Sequence, residues 1–335
     1  MEIKTYAKET YEKYQKSYAW KTAIGLQLVD NLKPSEYLYE VANKTIEENI
    51  SYDEANKLIN DYYEAKTTRD KDTYEADKVS IKIAELISAR SFVLSPIEYI
   101  NIHKRLFEGV YDHAGKIREY NISKKEWVLN GDSVIYANAY NLKELLDYDL
   151  KQEKEYDYSN ITKKEFVKHI AKFISNLWQI HPFYEGNTRT TAVFLIKYLN
   201  TLGFDINNNL FAENSWYFRN ALVRANYTNF PLGIHETKYY LELFLENLLF
   251  DFNHVLNNKE LHIDHQISYE ETLKNNEKLE QLLTILKEEP YLTLYDCSDK
   301  INKSLRTTKE LIKELKEKDL IERVGAKKNG YWKVK

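Results

Sequence analysis

The chain has 335 residues, enough for two or three domains at roughly 100–200 residues each. With 48 Lys and Arg against 52 Asp and Glu, the net formal charge is −4, which excludes a general nucleic-acid coat and a polybasic membrane-surface protein. The single cysteine, Cys297, excludes an internal disulfide and a cysteine-rich zinc site, and no apolar run approaches the ~20 residues of a membrane span.

The first stretch, Met1 to Lys16, is charged throughout and has no apolar signal-peptide centre, so a soluble cytoplasmic protein with no membrane partner is expected. Only 9 Gly and 5 Pro, with abundant Leu, Lys and Glu, predict a mainly α fold. The 28 tyrosines are a compositional habit without a functional signal. Residues 1–90 read as an N-terminal helical segment. Pro34 begins one of its helices, where Tyr37, Leu38, Val41, Ile46 and Ile50 share a face. Tyr99 to Arg105 reads as a short helix. Trp127-Val128-Leu129 and Val134-Ile135-Tyr136 are β-rich runs around Asn130-Gly131-Asp132-Ser133, and together they predict a β-hairpin. Such an edge can register an incoming segment by strand addition.

Val167, Ile170, Phe173, Ile174, Leu177 and Trp178 recur at helical spacing, so Glu165 to Ile180 reads as an amphipathic helix. Pro182 ends it, and a second helix follows from about Thr188 to Leu202, stopped at Gly203. Between them lies His181-Pro182-Phe183-Tyr184-Glu185-Gly186-Asn187-Thr188-Arg189. Gly186 and Asn187 fall at a helix start, where unpaired amides and the helix dipole hold anions. His181 is a base suited to pH 7, Glu185 a hard oxygen ligand for Mg2+, and Arg189 a fork for phosphate. Singly, each residue also fits a helical corner with a capping asparagine and a surface arginine. As a set, they predict a hydroxyl deprotonated by His181 and a phosphorus made attackable by metal, amides and Arg189.

This stretch resembles the Fic family motif His-Pro-Phe-x-Asp/Glu-Gly-Asn-Gly-Arg-x-x-Arg. It departs at Thr188, where the second glycine belongs, and at Ala192, where the second arginine belongs. The resemblance implies transfer of AMP from ATP to a protein hydroxyl. It makes His181 the base, Glu185 the Mg2+ ligand, Gly186, Asn187 and Thr188 the phosphate loop, and Arg189 the partner of the leaving pyrophosphate. It implies that Ala114-Gly115-Lys116-Ile117-Arg118 leads into a flap carrying Val128, Leu129, Val134 and Ile135. It also implies an inhibitory helix over Asn43 to Asn49, whose glutamate is Glu47 or Glu48. In the helix Trp216 to Asn226, Phe218 takes the place of a nucleotide-pocket tyrosine, with Tyr217 beside it and Asn226 eight residues on, so Tyr217 and Asn226 are candidate nucleotide contacts. His113 and His169 lie outside the loop and read as structural.

Glu236 to Phe252 forms a closing apolar helix. Leu279, Leu282, Leu283 and Leu286, then helices opened by Thr293 and Ser304, then strands over 320–324 and 331–334, resemble a winged helix-turn-helix. Residues 301–335 carry 11 Lys/Arg and 5 Asp/Glu, a net +6. DNA binding by this tail and protein docking or homodimerisation are both open to it. The expected domains are 1–90, a Fic-type helical bundle over 91–255, a linker over 256–275 and the winged module over 276–335. The expected activity is protein adenylyltransfer with ATP and Mg2+ onto a Ser, Thr or Tyr hydroxyl of a target protein or of the chain itself. The alternative is a DNA-binding regulator with a nucleotide-sensing domain. Removal of AMP or use of another nucleotide would employ the same base and metal.

Overall fold

The computed structural model describes residues 2–47, 50–206, 208–317, 320–325 and 330–334. The chain divides into two compact units, Met1–Ile263 and Asp264–Lys335. In order, the helices of the first are α1 (Glu2–Gly25), α2 (Glu36–Glu47), α3 (Tyr52–Glu64), α4 (Lys71–Ser88), α5 (Pro96–Phe107), α6 (Leu142–Glu155), α7 (Lys163–Ile180), α8 (Asn187–Thr201), α9 (Leu210–Arg224), α10 (Tyr239–Phe250) and α11 (Asn258–Leu261). The expected N-terminal segment is not a body apart, because α1 packs along both α4 and α9. Gly25 shows how closely: its backbone lies against that of Ala212, and a Cβ there would fall 2.4 Å from the Ala212 Cα.

Local chemistry accounts for most helix starts. Ser51–Glu54 and Thr162–Glu165 form capping boxes opening α3 and α7, and Asp70 and Ser95 cap α4 and α5. Each such cap is worth about 1 kcal/mol. The start of α2 is held from a distance: buried Asp77 on α4 accepts from the Ser35 amide (2.8 Å), the Ser35 hydroxyl (2.6 Å) and the Tyr63 hydroxyl (2.7 Å). Burial raises its carboxyl pKa against the opposing pull of those donors.

α8 runs through the middle of this unit, buried from Asn187 to Leu199, and packs on α4, α5 and α7. A helix buried on all faces must satisfy every polar group it carries. Thr190 and Thr191 hydroxyls donate to the Gly186 and Asn187 carbonyls, Tyr99 bonds Thr191, and Lys197 donates to the Leu86 and Ala89 carbonyls closing α4. Nearby, buried Glu153 of α6 joins α7 through His169 (2.7 Å) and α8 through Tyr198 (2.6 Å).

One sequence expectation fails here. The segment 127–138 is not a hairpin: Trp127–Leu129 is a 3-10 turn, and among the described residues no strand ladder forms there. Asn130 and Gly131 do take the left-handed turn their types favour. Yet Val128, Leu129 and Val134 point into the core, at 0–2 % exposure, and the backbone from Ile135 to Ala137 bonds Gln179 of α7 instead. Burial has overridden strand propensity. The 256–275 stretch, expected as a linker, is largely helical: α11 occupies Asn258–Leu261, α12 (Ile263–Glu288) begins inside it, and the division between the two units falls at Ile263.

The second unit holds most of α12, then α13 (Leu294–Lys300), α14 (Leu305–Glu317) and an antiparallel pair, β1 (Ile321–Val324) and β2 (Tyr331–Val334), in register Ile321↔Val334. Its core gathers Leu282, Leu286, Cys297, Leu315, Ile321 and Trp332, with the Trp332 indole donating to the Leu292 carbonyl (3.1 Å).

The Gly25 contact gives a direct check. Gly25→Ala overpacks the α1–α9 crossing and should cost about 1–3 kcal/mol, seen as a lowered midpoint in thermal denaturation. An unchanged midpoint would mean the two helices can separate freely.

Candidate active site

α7 ends at Ile180, and His181 takes a left-handed conformation (φ 48°, ψ 57°) just before Pro182. Pro182 lacks an amide hydrogen and turns the chain out of the helix. Four residues later Gly186 is again left-handed (φ 75°) and opens α8 at Asn187. No side chain could replace hydrogen at Gly186, since a Cβ there would meet the Phe107 ring at 2.3 Å.

The loop between is held by main-chain contacts. Asn187 bridges its base, accepting from the Phe183 amide (3.0 Å) and donating to the Phe183 carbonyl (2.8 Å). His103 on α5 holds it from beneath. Its Nδ1 accepts from the Gly115 amide (2.8 Å), so Nε2–H must donate to the Glu185 carbonyl (3.0 Å). The ring stacks on Phe183 at 3.7 Å, and burial pushes its pKa down to about 3. Arg118, 1 % exposed, donates to the carbonyls of His181 (2.8 Å), Tyr120 (2.8 Å), Ala137 and Ile180, and its own amide donates to Pro182. His103 has no spacing signal in the sequence that would single it out for this work, and Arg118 stands out only as the end of the 114–118 segment; both act through neighbours the fold supplies.

His181 itself is 3 % exposed, packed against Tyr136 (4.1 Å) and edge-on to Trp178. Its Nδ1 lies 3.2 Å from the Trp178 carbonyl, which can only accept, so Nδ1 carries the proton and Nε2 is the basic nitrogen. Burial, and then the charge of Lys124, hold the His181 pKa well below the ordinary histidine value. The ring is therefore neutral at pH 7. Glu185 stands at the rim instead, its side chain 54 % exposed and 2.6 Å from Lys124 Nζ.

Several residues expected at the nucleotide are engaged within the protein. Arg189 does not face the loop mouth. It is 1 % exposed, donates to Gln27 (3.0 Å) and Glu75 (2.6 Å), lies 2.8 Å from Asp30 as a charge contact, and covers the Phe107 ring. Burial alone would lower its pKa; Asp30, Tyr111 and Glu75 outweigh that and raise it. Thr188 also turns inward, accepting from the Trp178 indole at 3.0 Å. Tyr217 is buried at 1 % exposure, and Phe218 packs into the core on Phe211 and Phe244. The Asn226 amide nitrogen is engaged by the Ser175 and Leu222 carbonyls. Glu47 pairs with Lys13 on α1, away from Arg189, and Glu48 lies outside the described residues. The acids that do reach the motif arginine, Asp30 and Glu75, come from other stretches of the N-terminal helices.

A sequence model of the Fic/DOC family matches residues 93–199, a span that includes α5 to α7, most of α8 and the whole loop. The chain carries a Fic domain. A probable protein adenylyltransferase of Sinorhizobium fredii, y4lH, is 27 % identical over 128 residues, 38 % of this chain and 62 % of that protein. Protein adenylyltransferase VbhT of Bartonella schoenbuchensis is 27 % identical over 144 residues, 39 % of this chain and 29 % of that protein. The chain thus spans less than two thirds of either relative. A Fic family protein from Desulfovibrio desulfuricans superposes with TM-score 0.43 at 12 % identity, covering 96 % of this chain and 87 % of that one. The N-terminal Fic domain of a Bartonella effector protein gives 0.41 at 18 % identity, covering 53 % and 84 %.

Within the Fic domain, His103 sets a pH signature. Its folded pKa of about 3 lies below the unfolded value near 6.5, so the unfolded chain binds the extra proton between them. Its contribution to stability is complete above pH 6.5 and is lost as pH falls toward 3. Denaturant titrations at pH 7 and 5 should show a smaller loss on acidification in His103→Gln than in the parent; equal losses would show that His103 charges freely in the fold.

Proposed function

We propose that this chain is a protein adenylyltransferase, moving AMP from ATP onto a Ser, Thr or Tyr hydroxyl of a protein. The carrying observation is His181: a neutral imidazole whose Nδ1 proton is committed to the Trp178 carbonyl, at the foot of a helix whose first amides have no partner within it. The names of the two adenylyltransferase relatives support the same reaction.

The acceptor hydroxyl gives its proton to His181 Nε2 as its oxygen bonds the α-phosphorus. The bond from that phosphorus to the α–β bridging oxygen breaks, and pyrophosphate leaves with the electron pair. The amides of Asn187, Thr188 and Arg189 face the phosphate charge at the mouth of α8. They act through the main chain, since the Asn187 and Thr188 side chains hold the loop and Trp178. Glu185 is the residue that would hold Mg2+. Among the described residues no cluster of three metal-ligating side chains exists. A single rim carboxylate suits a Mg2+ that takes its other ligands from nucleotide phosphates and water, and the ion would neutralise part of the phosphate charge.

A second reading, a regulator that senses nucleotide and binds DNA through a C-terminal winged helix, is supported by the +6 charge of residues 301–335. Incubating the full chain with α-labelled ATP, Mg2+ and a cell extract separates the two. Label should appear on protein and fall about 10²–10⁴-fold in His181→Ala. Label that survives His181→Ala removes this mechanism, and nucleotide binding without any transfer favours the sensor. Because the His181 pKa is depressed, its base form persists on acidification. The acid limb of kcat/KM should therefore lie below pH 6.5, and a limb at or above 6.5 would contradict a buried neutral base.

A further inference from the structure

Polyphosphate needs positive charge from the protein beyond main-chain amides, and the arginines of this corner are engaged elsewhere. Arg189 is buried and charge-matched by Asp30 and Glu75, and position 192 is a fully buried alanine. Arg118 is occupied by backbone carbonyls, and Arg219 clasps Glu126 with two nitrogens. Lys124 is placed differently. Its amide is pinned to Ser133 Oγ at 3.1 Å, its side chain is 24 % exposed, and Nζ reaches the Glu185 carboxylate at 2.6 Å. Its charge is also the one His181 feels most strongly. It thus touches the rim carboxylate that precedes α8 and acts on the base through its charge.

We infer that Lys124 is a phosphate-binding residue of this site: its ammonium pairs with Glu185 when no nucleotide is present and turns onto the polyphosphate when nucleotide binds. The inference rests on the adenylyltransferase reading and names the side chain that supplies the charge Arg189 and Ala192 do not. A lysine suits this exchange. Its charge sits on a flexible four-carbon stem with three rotatable donors, so it can pass from one oxyanion to another without moving the backbone. Turning away also leaves the Glu185 carboxylate open to a metal at the moment the phosphates arrive. A charge-assisted contact of this kind changes affinity by about tenfold to a hundredfold.

The test is calorimetric titration of the full chain, as parent, Lys124→Met and Lys124→Arg, with ATP and with adenosine, each with Mg2+ and with chelator. Lys124→Met should weaken ATP at least about tenfold and leave adenosine unchanged, while Lys124→Arg keeps most of the ATP affinity. ATP binding in Lys124→Met equal to or tighter than the parent overturns the inference, because the lysine would then only mask Glu185. Equal loss of ATP and adenosine, not restored by Lys124→Arg, also overturns it by marking a structural role. A parent that binds no nucleotide removes the adenylyltransferase reading and this inference together. A parent that binds ATP with Lys124→Met indifferent removes this inference alone.

Discussion

The buried charge cluster of Arg189 with Asp30 and Glu75 is the constraint on which the site depends. A guanidinium at 1 % exposure is tolerable only with its charge matched, and removing one partner from such a buried set costs about 3–5 kcal/mol. The cluster ties the first turn of α8 to α4 and to the turn after α1. The N-terminal helices are thereby part of the same body as the loop, consistent with one compact unit from Met1 to Ile263. It also sets part of the electrostatics beneath the loop: the Arg189 charge faces inward and is matched by Asp30 and Glu75.

Around that anchor the loop is shaped by donors aimed at carbonyls. His103, Arg118 and Asn187 each bond main-chain atoms of the His181–Glu185 stretch, and they hold two left-handed residues, His181 and Gly186, within six positions. Left-handed backbone at a non-glycine residue costs roughly 1–2 kcal/mol and persists only where surrounding contacts over-determine it. Here they do. The strain at His181 sets the ring against Tyr136 and gives its Nδ1 an acceptor, which fixes the tautomer as well as the position.

Much of this was readable from the residues in order. The period of Val167 to Trp178 and the proline at 182 mark α7 and its end, and Thr293 opens a helix where its type predicts. The failures share one cause, contacts between distant parts of the chain. Val128, Leu129 and Val134 have strand propensity, and only the packed core shows that they are needed inside. Arg189 looks like a surface fork until Glu75, 114 residues away, is brought beside it. His103 reads as one more histidine on an amphipathic helix, because its partner Glu185 lies 82 residues on. Tyr217 has the right neighbourhood in sequence but sits on the core side of α9.

The hydroxyl of Thr188, turned toward the Trp178 indole, has a wider implication. The cradle at the mouth of α8 presents peptide groups to its surroundings, and the side chain at 188 lines the back of that surface. A threonine fits at this place without altering the shape that faces solvent, because the tryptophan behind it offers an N–H. A search template that insists on glycine there would discard chains whose helix mouth is built the same way; one that accepts a small hydroxyl residue paired with tryptophan ten positions earlier would retain them.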